Sequence, residues 1–200
     1  MKNFDKIDRL EISTHATIGE SAKLRKTNRD GTTTDIRLEK QDASAGVGIT
    51  GGTGTIIKSS VAAVGQITTT SIIIDLTGLA SSTTALDIIG VAGGPAILAQ
   101  INDAQNAAIL GGRMTCLEVP AGGVDDIDLY AATEGTGAFD SAVTALTETA
   151  LISAGGAWTI GEIVGFSATP ADGEFLYLAC GAAGTAATYT AGRFLIELYG

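Results

Sequence analysis

The feature that most limits what this chain can become is the shortness of its apolar runs. From Thr55 onward they are rich in β-branched residues and stopped repeatedly by Gly, Asn, Asp or Pro: "TIIKSSVAAV", "TTSIIIDLTG", "ALDIIGVAG", "AAILGGRMTCLEV", "DIDLYAA", "AWTIGEIVGFSA", "EFLYLACG" and "GRFLIELYG". β-branched side chains suit a pleated surface better than a helix. Many short runs with turn residues between them predict the strands of a sandwich or barrel. A parallel sheet needs long crossovers, usually helical, between its strands. The best helical candidate, "SAVTALTETALI", is rich in Thr and stays ambiguous, and "INDAQNAAIL" has room for one helical turn. In the closing "RFLIELYG", Phe194, Ile196 and Leu198 fall on one face, with Leu195, Glu197 and Tyr199 on the other. The expected fold is all-β: an antiparallel β-sandwich, of jelly-roll type, over residues 55–200, with an extended N-terminal arm.

That arm is expected over residues 1–45, where single hydrophobics are scattered among charges. "LEISTHATIGE" and "TTTDIRLEK" alternate weakly, and "KLRKTNRDGT" ends in the turn signal Asp30-Gly31. Residues 46–54, glycine-rich and uncharged, read as a linker. Charge divides the chain at the same place. Residues 1–40 carry nine of the twelve basic residues and seven of the twenty-two acids, a net +2; the three bases and fifteen acids that remain leave residues 41–200 at −12. The larger part repels nucleic acid phosphates. The arm suits an acidic protein surface, and its partner-binding candidates are Lys23, Arg25, Lys26, Arg29, Arg37 and Lys40.

No apolar run approaches the roughly 20 residues that cross a bilayer as a helix, and "MKNFDKIDRL" lacks the apolar stretch of a signal peptide. The expectation is a chain made in a cytoplasm, without a membrane partner. Cys116 and Cys180 each sit in an apolar run and read as small buried side chains, with a disulfide between them left open.

Four patterns bear on chemistry. "GVGITGGTGT" contains Gly46-x-Gly48-x-x-Gly51, the spacing of a dinucleotide loop. That loop requires a strand before it and a helix after it. Here "KQDASA" precedes and β-branched residues follow, so no cofactor is expected. "VDDIDLY" places Asp126 and Asp128 on one face of an extended chain, with Asp125 and Ile127 on the other and Glu134 nearby. The trio Asp125, Asp126 and Asp128 is a weak candidate calcium site. A solvated acidic edge that discourages sheet aggregation is the stronger reading. The single histidine, His15, lies in the arm, away from any metal or triad spacing. Trp158 reads as core, on one face with Ile160, Glu162 and Val164.

The strings "SIIIDLTGL", "MTCLEVPAGGVDDIDLYAATEGTG" and "YTAGRFLIELYG" resemble uncharacterised virion structural proteins of marine tailed phages, over roughly residues 54–200. The resemblance implies a particle protein and carries over no active site. It agrees with the absence of a catalytic constellation and with the contrast in charge between arm and body. The function expected is a non-enzymatic capsid decoration or cement protein. It would reside in the virion and bind the major capsid protein or another virion protein through its arm, as a homo-oligomer with a trimer favoured. The alternative is a host-recognition fibre or spike module that uses loops such as "AGGVDD" and "CGAAGTAAT". A lesser one is a glycan hydrolase working through carboxylates, although aromatic residues for sugar stacking make up only 5% of the chain.

Overall fold

The structure is a computed structural model that describes residues 22–27, 33–39, 45–153 and 156–200. The fold is nearly all-β, with helix limited to single turns among the described residues, and two antiparallel sheets pack face to face. The strands are β1 Ala22–Thr27, β2 Thr33–Glu39, β3 Ile56–Val64, β4 Ile67–Asp75, β5 Ala99–Gln100 and β6 Gly111–Ala121. They continue as β7 Ile127–Ala132, β8 Glu148–Ile152, β9 Ile163–Gly165, β10 Phe175–Cys180 and β11 Ala191–Tyr199. One sheet runs β1-β2-β3-β4-β11-β6-β9 and the other β5-β10-β7-β8. From β4 onward the chain keeps crossing between layers, so strands distant in sequence become neighbours. β11 lies between β4 and β6, and β10 between β5 and β7. Among the described residues no helix is long and apolar enough to cross a membrane.

Alternation builds the inner face of the larger sheet. Ile72 and Ile74 of β4, Met114 and Cys116 of β6, and Phe194, Ile196 and Leu198 of β11 are all fully buried. β11 thus has the two faces expected for it, because a period of two sends alternate side chains to opposite sides. β3 and β4 form a hairpin in which Val64 pairs with Ile67 across a two-residue loop, and Gly65 takes φ 66. That positive φ matches the twist of the flanking strands and suits glycine.

The smaller sheet is buried on both sides at its centre. All six residues of β7 are buried. Its outer side is covered by the connection that follows β7: the Tyr177 hydroxyl donates to Glu134 O at 2.6 Å and accepts from Gly137 N at 3.3 Å. From Leu129 to Ala132 the strand carries no charged side chain because both its faces are enclosed, and Asp128 is the buried exception.

Three expectations are corrected. The first concerns Gly46–Gly54, which is not a linker. Val47–Thr50 forms a single helical turn, α1, and Ile49 is fully buried in the core. Gly46 N donates to Ile97 O at 2.9 Å, Gly48 N to Pro95 O at 2.8 Å, and Val91 N to Gly48 O at 2.8 Å. A Cβ on Gly48 would lie 2.8 Å from Gly94 O and 2.9 Å from Ala96. These glycines therefore permit close backbone approach, and residues from Ala45 onward are part of the packed body. Nor is α1, four residues long and ended by Gly51, the helix of a dinucleotide loop.

The second concerns "SAVTALTETALI", ambiguous in the sequence, whose helical candidacy is not realised. It holds a 3-10 turn, Val143–Ala145, followed by β8. The third concerns Trp158 and Ile160, which do not share a face. Trp158 is 5% exposed and Ile160 is 73% exposed. Glu162 N donates back to Thr159 O, and Gly161 takes φ 79, so a turn interrupts the alternation before β9 begins. By contrast, "INDAQNAAIL" does carry its helical turn, α2 Asp103–Asn106, with Asn102 accepting from Gln105 N as the N-cap.

The N-terminal strands β1 and β2 pair antiparallel, from Ala22 with Leu38 to Thr27 with Thr33, on either side of Asp30-Gly31, which lies outside the described residues. β2 continues the larger sheet by pairing Arg37, Leu38 and Glu39 with Ala63, Ala62 and Val61 of β3.

Candidate functional site

Four connections meet at one end of the sandwich: residues 76–98, 122–126, 156–162 and 181–190. Ser81 N donates to Ala187 O at 3.0 Å, and the Ser81 hydroxyl accepts from Val124 N at 3.2 Å. The Tyr189 hydroxyl donates to Val124 O at 2.7 Å. Gly181 N donates to Asp126 O at 2.8 Å, and Trp158 N to Asp125 O at 3.3 Å. Trp158 then fixes the start of β7, with its indole Nε1 donating to Ile127 O at 2.8 Å and its ring edge-on to Phe194 at 5.2 Å. Loops tied this closely make a rigid platform. They include "AGGVDD" and "CGAAGTAAT", both singled out in the sequence.

Asp126 and Asp128 lie within this platform, 9% and 4% exposed. The expected solvated acidic edge is thus overturned: β7 is an interior strand, and the turn that follows β10 lies against both carboxylates. Gly181 is the reason the carboxylates fit. A Cβ there would lie 2.3 Å from Asp126 Oδ1 and 3.0 Å from Asp128 Oδ1. Asp128 Oδ1 is buried without a hydrogen-bond partner among the described residues, and Asp128 Oδ2 has the Tyr130 hydroxyl at 3.5 Å, the limit of a hydrogen bond. Burial, and then the neighbouring Asp126 charge, push the Asp128 carboxyl up to about 6. Burial and the Asp128 and Glu148 charges push Tyr130 up to about 12.

A small pocket of about 30 Å³ adjoins the pair, bordered also by Ile152, Trp158, Glu162 and Val164. Asp125, the third member of the sequence trio, is exposed and stands apart from it. Glu134 is occupied elsewhere, accepting from Thr147 N and Oγ1 at 2.8 Å. Among the described residues no three His, Cys, Asp or Glu side chains are grouped to hold a metal by themselves.

The basic candidates lie at the other extreme of the fold. Lys23, Arg25 and Lys26 are in β1 and Arg37 is in β2, at the outer edge of the larger sheet, with Lys23 opposite Arg37 in register. Arg29, Lys40 and His15 lie outside the described residues. Sequence reasoning named Asp126 and Asp128 but missed Gly181 and Tyr130 as their surroundings, because nothing local announces that residue 181 abuts residue 126.

No protein-family model, curated protein or solved structure matches the chain.

Proposed function

We propose that the chain is a structural protein of a phage head, a decoration protein that holds the shell through its N-terminal hairpin. The observation that carries this reading is the position of β1–β2. A hairpin bearing four of the basic residues extends the edge of the larger sheet and is joined to the acidic body by three residue pairs. An edge strand is a template for pairing with another chain, and basic side chains along it select an acidic partner while discouraging self-association. The partner proposed is the major capsid protein. A homotrimer would match a threefold position of the shell.

The strand order supports a jelly roll. Counted from β4 as the first of eight strands, the two layers read first-eighth-third-sixth and second-seventh-fourth-fifth. That is the order of two Greek keys wrapped into one sandwich, an architecture common in capsid proteins and in lectins. Because such a fold hosts many functions, the hairpin and not the sandwich carries the reading. The carboxylate pair does not favour hydrolysis: its adjoining pocket of about 30 Å³ is far below the roughly 300–1,000 Å³ of ordinary ligand sites.

The test is co-sedimentation with heads that lack the protein. The full chain should bind, more weakly as salt rises. The variant Lys23→Glu, Arg25→Glu, Lys26→Glu, Arg37→Glu should lose binding while keeping its β-type circular dichroism. Undiminished binding by that variant removes the reading. The fibre or spike alternative draws on the rigid loop platform, and a glycan-array signal lost on changing loop residues would favour it instead.

A further inference from the structure

We propose that Asp126 and Asp128 form a binding site for one calcium ion, with backbone carbonyls and water as the remaining ligands. Two carboxylates on one face do not make a site by themselves. Three further features point to an occupant. Asp128 is 4% exposed, and its Oδ1 is buried with no hydrogen-bond partner among the described residues. A carboxylate oxygen left so is expensive unless a proton or a cation meets it. The second carboxylate borders the same space, since Asp126 Oδ1 and Asp128 Oδ1 both crowd the missing Cβ of Gly181. The pair also adjoins a pocket of about 30 Å³, against the ~10–15 Å³ that one water needs.

The donor set is all oxygen, which selects a hard cation. Calcium tolerates irregular geometry, mixed carboxylate, carbonyl and water ligands, and six to eight of them. Magnesium demands a near-ideal octahedron, which two carboxylates two residues apart do not impose. Asp125 is not part of this site, because its side chain is exposed and its carbonyl accepts from Trp158 N. The site would tie β7 to the turn after β10 and stiffen the loop platform. It is independent of how the hairpin is used.

The experiment is thermal unfolding of the full chain in EDTA and in calcium at ~1 mM, the range of extracellular calcium modules, together with a calcium titration by calorimetry. The expected results are a rise of several degrees in Tm and a stoichiometry of one per chain. Asp128→Asn should melt higher than wild type in EDTA, because the unpaired charge is gone, and should no longer respond to calcium. Asp126→Asn, at the less buried position, should also lose the response. Gly181→Ala should weaken binding without changing any charge. Sodium chloride at matched ionic strength controls for screening of the net −10 charge. No calcium-specific shift in wild type, or an equal shift in Asp128→Asn and Asp126→Asn, would overturn the site. In that case the pair is a strained structural element.

Discussion

Arg193 and Asp75 stand opposite each other on β11 and β4, and the guanidinium donates to the carboxylate at 2.7 Å across 118 residues of sequence. Asp75 also accepts from Thr77 N at 3.0 Å and from the Thr77 hydroxyl at 2.7 Å. One carboxylate therefore closes the end of β4 and pins the last strand beside it. Burial pushes the Asp75 carboxyl up, but the hydrogen bonds from Arg193 and Thr77 outweigh it and hold the group below its ordinary 3.8.

Since the folded carboxyl binds its proton less readily than the unfolded one, the lock stabilises fully above the ordinary value of 3.8 and is lost as pH falls through the lower folded value. Arg193 is half-exposed, which places the loss in Asp75→Asn at the low end, about 1–2 kcal/mol at neutral pH. Urea unfolding of both proteins should show that gap closing as the pH is taken well below 3.8. A gap unchanged in acid would mean that the ionised carboxylate is not what matters.

Gly48 and Gly65 separate packing from flexibility. Gly48→Ala places a methyl against Gly94 O and Ala96, with about 1–3 kcal/mol of overpacking expected. Gly65→Ala meets no atom within 4 Å but must hold φ 66, a strain of about 1–2 kcal/mol. Denaturant midpoints should fall for both. If residues 46–54 were slack chain, Gly48→Ala would be neutral or mildly stabilising.

Trp158 is the only tryptophan and is buried. Its fluorescence should be blue-shifted, resist iodide, and move red on unfolding. Trp158→Phe keeps an aromatic ring near Phe194 but leaves Ile127 O without its donor, and should lower stability by about 1–3 kcal/mol. Trp158→Ala should lower it by about 3–5 kcal/mol. A red-shifted native spectrum would contradict the packing.

Cys116 and Cys180 are both free and fully buried, and burial pushes each thiol up. Neither should react with iodoacetamide in the native protein at neutral pH, and both should react once it is unfolded. Mass spectrometry counts the adducts. Rapid native labelling of either would place that thiol at the surface.

Much of the sandwich was legible because its signals are local. Period-two alternation assigned both faces of β11, "INDAQNAAIL" had room for the one helical turn that α2 makes, and Gly, Asn, Asp and Pro marked where strands stop. The same local reading failed where burial comes from distant chain. Glycines at 46, 48 and 51 look alike whether they flex or pack, and only residues 90–97 lying against them decide. The alternation through Trp158 looked continuous because the turn at Gly161 depends on how residues 159–162 meet β6.

The carboxylates show the division most clearly. The order of residues alone put Asp126 and Asp128 on one side of an extended strand, since backbone geometry turns successive side chains through half a circle. Whether that side met water depended on the crossovers between the layers. They laid β10 beside β7, brought Gly181 against both carboxylates and left one oxygen without a partner. Alternation is a property of the bonded chain, whereas depth is a property of what the rest of the chain brings to it.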